Sequence, residues 1–175
     1  MKILITGGLG YIGSHIAYLL GKNAIVIDNK VNSSLNFKKK LPNSVVYKLN
    51  LNTRSLNKIF LKHNISGVIH LAGLKSVNES MSSSLKYYKN NLGSSMELLE
   101  SMDKHKINKL IFSSSATVYG DQNKSPLNEN MKLKGVNPYG NTKILIEKLI
   151  EDYSNNNLNF KSISLRYFNP IGSNL

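Results

Sequence analysis

The sequence has no cysteine among its 175 residues, so disulfides, thiolate metal sites and a cysteine nucleophile are excluded. It also lacks any apolar run that approaches the roughly 18 residues of a membrane-spanning helix. The four histidines show no short ligand-like spacing, and we therefore expect no metal site. The first apolar run begins close to the first residue and leaves no room for a signal peptide. We therefore expect a cytoplasmic protein without a membrane partner.

Arginine is scarce in a chain that is otherwise strongly basic. The formal net charge is +13, yet Arg54 and Arg166 are the only arginines, and the lysines are scattered apart from a run at residues 38–40. Arginine binds bases and phosphates better than lysine does, so its scarcity argues against a specific nucleic-acid partner. Part of the positive charge would also suit a small ligand that carries several phosphates.

A glycine-rich turn lies near the start of the chain. Residues 3–5 are apolar and predict a short buried strand, and a helical pattern begins at Ile16. Between them lie four glycines, Gly7, Gly8, Gly10 and Gly13. A strand that turns tightly into a helix aims free backbone N–H groups at one point, where the helix dipole also attracts an anion. The pattern therefore predicts a phosphate or pyrophosphate site.

An acidic residue strengthens this prediction. Asp28 ends a second apolar run about 20 residues after Gly8, the spacing of a carboxylate that accepts a hydrogen bond from an adenosine ribose. Because a carboxylate repels a 2′-phosphate, Asp28 favours NAD over NADP. We therefore predict a dinucleotide site. The alternative is an ordinary strand–turn–helix unit, since glycine clusters also form plain turns.

Apolar runs and helical patterns alternate along the chain, which is long enough for one domain over residues 1–175. We predict strands near residues 3–5, 24–28, 45–49, 68–73, 110–112 and 163–167. Helices are expected to end near residue 20 and to span residues 55–63, 85–104 and 139–153, the last with Ile144, Leu145, Leu149 and Ile150 inward. Such alternation predicts an α/β, doubly wound parallel sheet that is covered on both faces and binds its ligand at the carboxyl ends of the strands.

Three side chains form a candidate catalytic group. Tyr139 and Lys143 are four residues apart on one predicted helix, so both project from the same face. Tyrosine has an unperturbed pKa of about 10, and a neighbouring ammonium would lower the pKa of Tyr139 and make it a usable base. Ser115 follows a predicted strand that borders the same crevice and could orient a substrate alcohol. The group would suit hydride transfer, whereas the pair alone could equally be a solvated surface pair.

One set of motifs lies at residues 6–15, 28–29, 32–33, 70–77, 79–80, 113–121, 138–143 and 165–170. Through these motifs the chain resembles the extended short-chain dehydrogenase/reductase family, and within it most closely the 4-epimerases of UDP-sugars. The resemblance runs nearly end to end. It implies a Rossmann-type fold and NAD-dependent interconversion of UDP-glucose and UDP-galactose, in which C4 is oxidised, the 4-keto sugar turns and the hydride returns.

The resemblance also implies roles for individual residues. Tyr139 would take the proton of the sugar 4-hydroxyl, Ser115 would hold that hydroxyl, and Lys143 would hold the nicotinamide ribose. Asn169 would face the substrate diphosphate. The cofactor would be lined by Gly7, Gly10, Tyr11, Ile12, Gly13, Asp28, Asn29, Asn32, Ser33, Asn50, Leu51, Leu71, Ala72, Gly73, Lys75, Asn91, Tyr139, Lys143 and Phe168. The complete enzyme would be a homodimer that pairs through the helices near residues 85–104 and 139–153.

Three departures from the family pattern keep alternatives open. Asn50 stands where an aspartate usually accepts from adenine, and Gly93 is shifted by one position from the usual glycine. The sequence also stops at residue 175, whereas the family continues into a C-terminal substrate lobe that is missing here. A truncated NAD-binding module without turnover is therefore one alternative. Another nucleotide-sugar epimerase or a 4,6-dehydratase of the same family is the other, although residues 115–117 lack the acids typical of a dehydratase.

Overall fold

The computed structural model describes residues 1–33, 41, 43–121 and 124–173, so the lysine run at residues 38–40 lies outside the described residues. The elements in chain order are β1 (Lys2–Thr6), α1 (Tyr11–Leu20), β2 (Ala24–Asp28), β3 (Val45–Lys48), α2 (Thr53–Lys62), β4 (Ile65–His70), α3 (Val77–Ser82), α4 (Ser84–Tyr87), α5 (Gly93–Lys104), β5 (Lys109–Ser115), α6 (Pro138–Asn156) and β6 (Lys161–Tyr167). Short 3-10 turns lie at Gly21–Asn23 and Ala116–Tyr119, and a π-helical turn, Tyr88–Leu92, joins α4 to α5.

The described strands form one six-stranded parallel sheet in the order β3-β2-β1-β4-β5-β6. The chain builds outward from β1 to β3 and then returns to the other side of β1 with β4. The strand order therefore reverses between β1 and β4, which is where open α/β sheets bind their ligands. This topology confirms the predicted doubly wound fold.

The core has two apolar layers because successive strand residues point to opposite faces of the sheet. On one face, Leu4 and Ile25 pack with residues of α2, α5 and α6, including Ile59, Leu98 and Ile146. On the other face, Ile5, Ala24 and Val26 pack against Ala17 of α1. The two layers fix β1 and β2 from both sides and so hold the glycine-rich turn between them.

Helices pack on both faces of the sheet, as predicted, but their cover is uneven at one edge. Three of the long described helices, α2, α5 and α6, pack on the same face, and α1 packs on the other face over β1 and β2. As a result Ile163 and Leu165 of β6 are 58% and 39% exposed. Parallel strands are normally buried on both faces, so this edge departs from the usual pattern.

Several predicted boundaries also shift. β4 starts and ends three residues before its predicted limits. Residues 71–73, which were predicted to belong to it, leave the sheet and line the cleft at its edge. β5 extends through the serines as far as Ser115. In α6 the inward positions include Ile146 and Ile150, whereas Leu145, which was predicted to face inward, is 44% exposed.

Candidate active site

A cleft of about 640 Å³ opens along the carboxyl edge of the sheet. Its volume lies in the range of about 300–1,000 Å³ that ligand sites usually have. Most of the site residues predicted from the sequence line it: Gly7, Gly10, Tyr11, Ile12, Gly13, Asp28, Asn29, Asn32, Ser33, Asn50, Leu51, Leu71, Ala72, Gly73, Lys75, Ser115, Tyr139, Lys143 and Phe168. The fold thus brings the glycine-rich turn and the candidate catalytic group to one place, while the role of each residue stays a prediction.

The glycine-rich turn needs glycine at two positions for steric reasons. Gly7 has a φ of +68°, and a Cβ there would lie 2.8 Å from the backbone nitrogen of Ala72. A Cβ on Gly13 would lie 2.6 Å from the carbonyl oxygen of Gly7. Both distances are below what real Cβ atoms tolerate, so any side chain would force the turn and the start of α1 away from the strands.

The start of α1 is suited to an anion. Gly10 is its N-cap and supplies no side-chain hydrogen bond, and the first turn contains no acidic residue. The amides of Tyr11, Ile12 and Gly13 therefore have no acceptor within the helix. All three residues line the cleft, where the helix dipole adds positive potential.

Asp28 ties the glycine-rich turn to the end of β2. Its Oδ2 accepts from the amide of Leu9 at 3.0 Å, and its Oδ1 accepts from the amide of Lys30 at 2.7 Å and from the Ser33 hydroxyl at 2.9 Å. A carboxylate offers about four lone-pair positions, so among the described residues one position on Oδ2 is left for a further donor. Nearby, the Asn29 amide donates to the side-chain oxygen of Asn50 at 3.2 Å, so the unusual Asn50 acts as an acceptor here.

The candidate catalytic side chains come from the first turns of α6 and from the end of β5. Asn137 caps α6 by accepting from the amide of Gly140 at 2.8 Å, which fixes the turn that carries Tyr139. The Lys143 ammonium donates to the carbonyl oxygen of Ser113 at 2.6 Å and lies 5.8 Å from the ring centroid of Tyr139. The Ser115 hydroxyl accepts from the Thr117 amide at 3.3 Å and from the Thr117 hydroxyl at 3.0 Å, which leaves its own proton to donate.

The electrostatics of this group differ from the prediction. Burial raises the pKa of Tyr139 above its ordinary value, while a hydrogen bond with Ser115 opposes that rise. The expected lowering of the Tyr139 pKa by Lys143 is therefore wrong: Lys143 does not contribute to the shift, and its amine is bonded to Ser113. Lys143 is only 4% exposed, and burial lowers its pKa to about 8, against the opposing effect of Glu147.

An ion pair between Arg166 and Glu147 joins the elements that carry the candidate catalytic side chains. The Arg166 guanidinium of β6 donates to both carboxylate oxygens of Glu147 on α6, with the shortest contact at 2.8 Å. The Ser114 hydroxyl of β5 donates to the same carboxylate. The pair therefore joins β5, β6 and α6 one helical turn after Lys143.

Two predicted site residues do not line the cleft. Asn91 is 1% exposed, and its side chain bonds to the backbone of Leu74 at 2.8 and 3.0 Å and to the Thr142 hydroxyl at 3.3 Å. Asn169 is exposed, although Phe168 and Pro170 on either side of it do line the cleft. The cofactor role of Asn91 and the substrate role of Asn169 thus stay predictions.

Sequence analysis missed several residues of the cleft: Ile27, Val31, Leu49, Leu74, Lys86, Asn90, Ser94, Ser113, Ser114, Tyr167 and Pro170. Most of them are direct sequence neighbours of predicted residues, so widening each motif by one residue would find them. Lys86, Asn90 and Ser94 recur every four residues, a spacing typical of one helix face. No signal in the sequence links that face to the cleft.

The described part of the chain lacks two further features. No described helix is both long and apolar enough to cross a membrane. Within the same residues, no group of three or more histidine or acidic side chains could hold a metal ion.

Comparison with known proteins gives consistent matches. Residues 3–174 match the model of the NAD dependent epimerase/dehydratase family. The chain is 43% identical to a UDP-glucose 4-epimerase of Dictyostelium discoideum over 98% of this chain and 53% of that protein. It is also 43% identical to the UDP-glucose 4-epimerase of Bacillus subtilis, over 99% of this chain and 54% of that protein.

A solved structure agrees with these sequence matches. The chain is similar to UDP-glucose 4-epimerase from Bifidobacterium longum in complex with NAD+ and UDP, with a TM-score of 0.93 and 37% identity. The match covers 99% of this chain and 55% of that one. The chain therefore spans about half the length of the relatives it matches.

Proposed function

Because this chain belongs to the NAD dependent epimerase/dehydratase family, we propose that it supplies the NAD-binding and proton-transfer part of an enzyme that interconverts UDP-glucose and UDP-galactose. One observation carries the proposal. Ser115, Tyr139 and Lys143 line the same cleft as the glycine-rich turn and Asp28, so an acid–base group stands beside a dinucleotide site.

The cleft has the features that NAD requires. Glycine at positions 7 and 13 keeps the turn tight, because a Cβ at either position would clash with backbone atoms, and the free amides at the start of α1 suit the pyrophosphate. The open lone-pair position on Asp28 suits a ribose hydroxyl, and its negative charge disfavours the 2′-phosphate of NADP. Lys143 uses one of its three donors on Ser113, which leaves two for the nicotinamide ribose.

In the proposed reaction Tyr139 takes the proton of the sugar 4-hydroxyl, and the Ser115 hydroxyl donates a hydrogen bond to the same oxygen. When bound, NAD would supply reversible hydride acceptance at C4 of the sugar, and Lys143 would hold its nicotinamide ribose beside Tyr139. Tyr139 then gives its proton back to the sugar oxygen. The exchange leaves no net oxidation, and Asn169 is proposed to face the UDP diphosphate.

A 4,6-dehydratase fits the site less well. That reaction needs an acid and a base to eliminate water, and the residues at the end of β5 and directly after it are Ser115, Ala116 and Thr117. The hydroxyl of Thr117 donates to Ser115 and so supports the serine instead of adding a carboxylate. The local chemistry therefore favours epimerisation.

We also propose that the complete enzyme is a homodimer, that it lies in the cytoplasm and that it binds no specific nucleic acid. Met96 on α5 and Leu145 on α6 support the dimer, because these apolar side chains are 45% and 44% exposed on neighbouring helices. Sedimentation of the complete enzyme with both residues changed to lysine would test the dimer. We expect a monomer, and an unchanged dimer would contradict this surface.

The reaction can be tested in a chimera in which this chain replaces the matched 54% of the Bacillus subtilis relative. We expect the chimera to convert UDP-galactose to UDP-glucose, and Tyr139→Phe to lower kcat by about 100-fold or more, the usual contribution of an acid–base group. The control is NAD binding, which Tyr139→Phe should preserve. A 4-keto-6-deoxy product from dTDP-glucose, or full activity in Tyr139→Phe, would overturn the proposal.

A further inference from the structure

A histidine lies buried directly behind the cleft. His70 ends β4 and is 2% exposed, and the residues that follow it, Leu71 and Ala72, line the cleft. Its Nδ1 lies 2.7 Å from the hydroxyl of Thr6, and its Nε2 lies 2.9 Å from the hydroxyl of Ser95. Both ring nitrogens thus have partners on different elements, β1 and α5.

The hydrogen bonds around His70 are consistent with one proton arrangement. The Ser95 hydroxyl donates to the backbone oxygen of Asn91 at 2.8 Å, so it can only accept from His70, and Nε2 must carry the proton. Nδ1 then accepts from the Thr6 hydroxyl, whose oxygen accepts in turn from the amide of Ala72 at 3.3 Å. In the opposite tautomer Nδ1 would donate, and the described residues give the Thr6 hydroxyl proton no other acceptor.

The same chain of bonds reaches the candidate base. Asn91 clamps both backbone groups of Leu74 and donates to the Thr142 hydroxyl at 3.3 Å. That hydroxyl donates to the carbonyl oxygen of Tyr139 at 2.7 Å. One continuous buried network therefore runs from the edge of the glycine-rich turn through His70, Ser95 and Asn91 to the first turn of α6.

We propose that His70 is a positioning residue which, as the neutral Nε2–H tautomer, holds the Ala72 edge of the cleft in register with the helix that carries Tyr139. The proposal rests on the proposed function, since it assigns His70 a part in placing the cofactor edge against the base. His70 touches neither, so it acts through Thr6 on one side and through Ser95 and Asn91 on the other.

The environment of His70 keeps its ring neutral. Burial, together with the charge of Lys143, lowers the pKa of His70 to about 3. A doubly protonated ring would donate from both nitrogens, and the Thr6 hydroxyl would lose its acceptor. The hydrogen bonds of the network therefore keep the same donors and acceptors at neutral pH.

Helix α5 offers a matched pair of variants. Ser95 and Ser101 are both buried, at 2% and 0% exposed, but the Ser101 hydroxyl has no hydrogen-bond partner among the described residues. Ser95→Ala and Ser101→Ala thus remove the same group from the same helix, and only Ser95→Ala breaks the network. We expect Ser95→Ala to weaken NAD binding by about tenfold, because it leaves the Nε2–H group unpaired, and Ser101→Ala to leave it unchanged.

A second pair of variants tests the same network independently, in case the Ser95 variant does not fold. Thr6→Val keeps the shape of the side chain and removes its hydroxyl, whereas Thr6→Ser keeps the hydroxyl. We expect Thr6→Val to weaken NAD binding and Thr6→Ser to leave it close to the wild-type value. Calorimetry measures the NAD affinity of each variant. 15N nuclear magnetic resonance of the histidine rings reports which ring nitrogen carries the proton. A merely structural role would not couple this tautomer to NAD affinity.

The possible results distinguish the positioning role of His70 from the proposed function. A proton on Nδ1 of His70 in the wild-type chain, or equal NAD affinity in Ser95→Ala and Ser101→Ala, would overturn the positioning role alone. A folded wild-type chain that fails to bind NAD would overturn the proposed function and the positioning role with it. An Nε2 proton together with loss of affinity only in the variants that break the network would support the role.

Discussion

At the scale of single residues, the site combines a buried cation with a partly buried phenol. The Lys143 amine lies 4.7 Å from the ring centroid of Phe112 and is bonded to a backbone carbonyl, so most of its surroundings are apolar or neutral. Such surroundings disfavour the charged form, which is why the pKa of Lys143 falls to about 8. The sequence alone predicts the pair of residues, but it cannot predict this burial, because Phe112 and Ser113 come from a distant strand.

Lys143→Met should change how stability depends on pH. Between about pH 8 and pH 10.5 the unfolded chain binds the Lys143 proton and the folded chain does not, so the contribution of Lys143 to the free energy of unfolding rises with pH in this window. The variant lacks this rise, which amounts to about 3 kcal/mol for the shift involved. Urea unfolding at several pH values measures it.

Lys148→Met is the control for that experiment. Lys148 lies on the same helix and is 59% exposed, and its acidic neighbours raise its pKa instead of lowering it. Its loss should therefore leave the rise with pH in place. Identical pH profiles for Lys143→Met and the wild-type chain would show that burial does not perturb Lys143.

Gly7→Ala should damage both stability and the cleft. The new Cβ would meet the backbone of Ala72 at 2.8 Å in a left-handed conformation, so we expect a loss of more than about 1 kcal/mol in the free energy of unfolding and a loss of NAD binding. The control is Gly93→Ala in α5, where a Cβ meets nothing within 4 Å. There we expect a gain of about 0.5–1 kcal/mol and unchanged NAD binding, and a stable, NAD-binding Gly7→Ala would contradict the account.

At the scale of elements, the segment between β4 and β5 contains one helix that the sequence predicts and others that it does not. The long helical pattern there predicts α5, but α3 went unpredicted although Ser76 and Glu79 form a capping-box signal, and the Ser76 hydroxyl accepts from the Glu79 amide at 3.2 Å. The π-helical turn at Tyr88–Leu92 carries Asn91 inward to Leu74. That placement depends on contacts with another loop, which the sequence pattern does not predict, whereas the cofactor role of Asn91 comes from the resemblance alone and stays a prediction.

The N-cap of α6 gives a prediction at the same scale. Asn137→Ala removes the acceptor of the Gly140 amide and should cost about 1 kcal/mol in the free energy of unfolding, because a first-turn donor loses its partner. Asn137→Asp keeps an acceptor and should cost much less. Urea unfolding of the two variants checks this, and equal losses would mean that the cap contributes little.

At the scale of the whole molecule, the strand order decides where function can reside. The reversal between β1 and β4 leaves a gap at the carboxyl edge, and the glycine-rich turn, Asp28 and the start of α6 converge on it. The alternation of strands and helices in the sequence predicts this arrangement, because it admits few topologies. The exposed face of β6 was beyond such a prediction, since only packing reveals which helices share a face.

The central claim is that the cleft holds NAD, and calorimetric titration of the folded wild-type chain with NAD and with NADP tests it most directly. We predict saturable binding of one NAD per chain and affinity for NADP weaker by about tenfold or more, because the Asp28 carboxylate repels a 2′-phosphate. Absence of NAD binding by the folded chain, or equal affinity for the two nucleotides, would contradict the account.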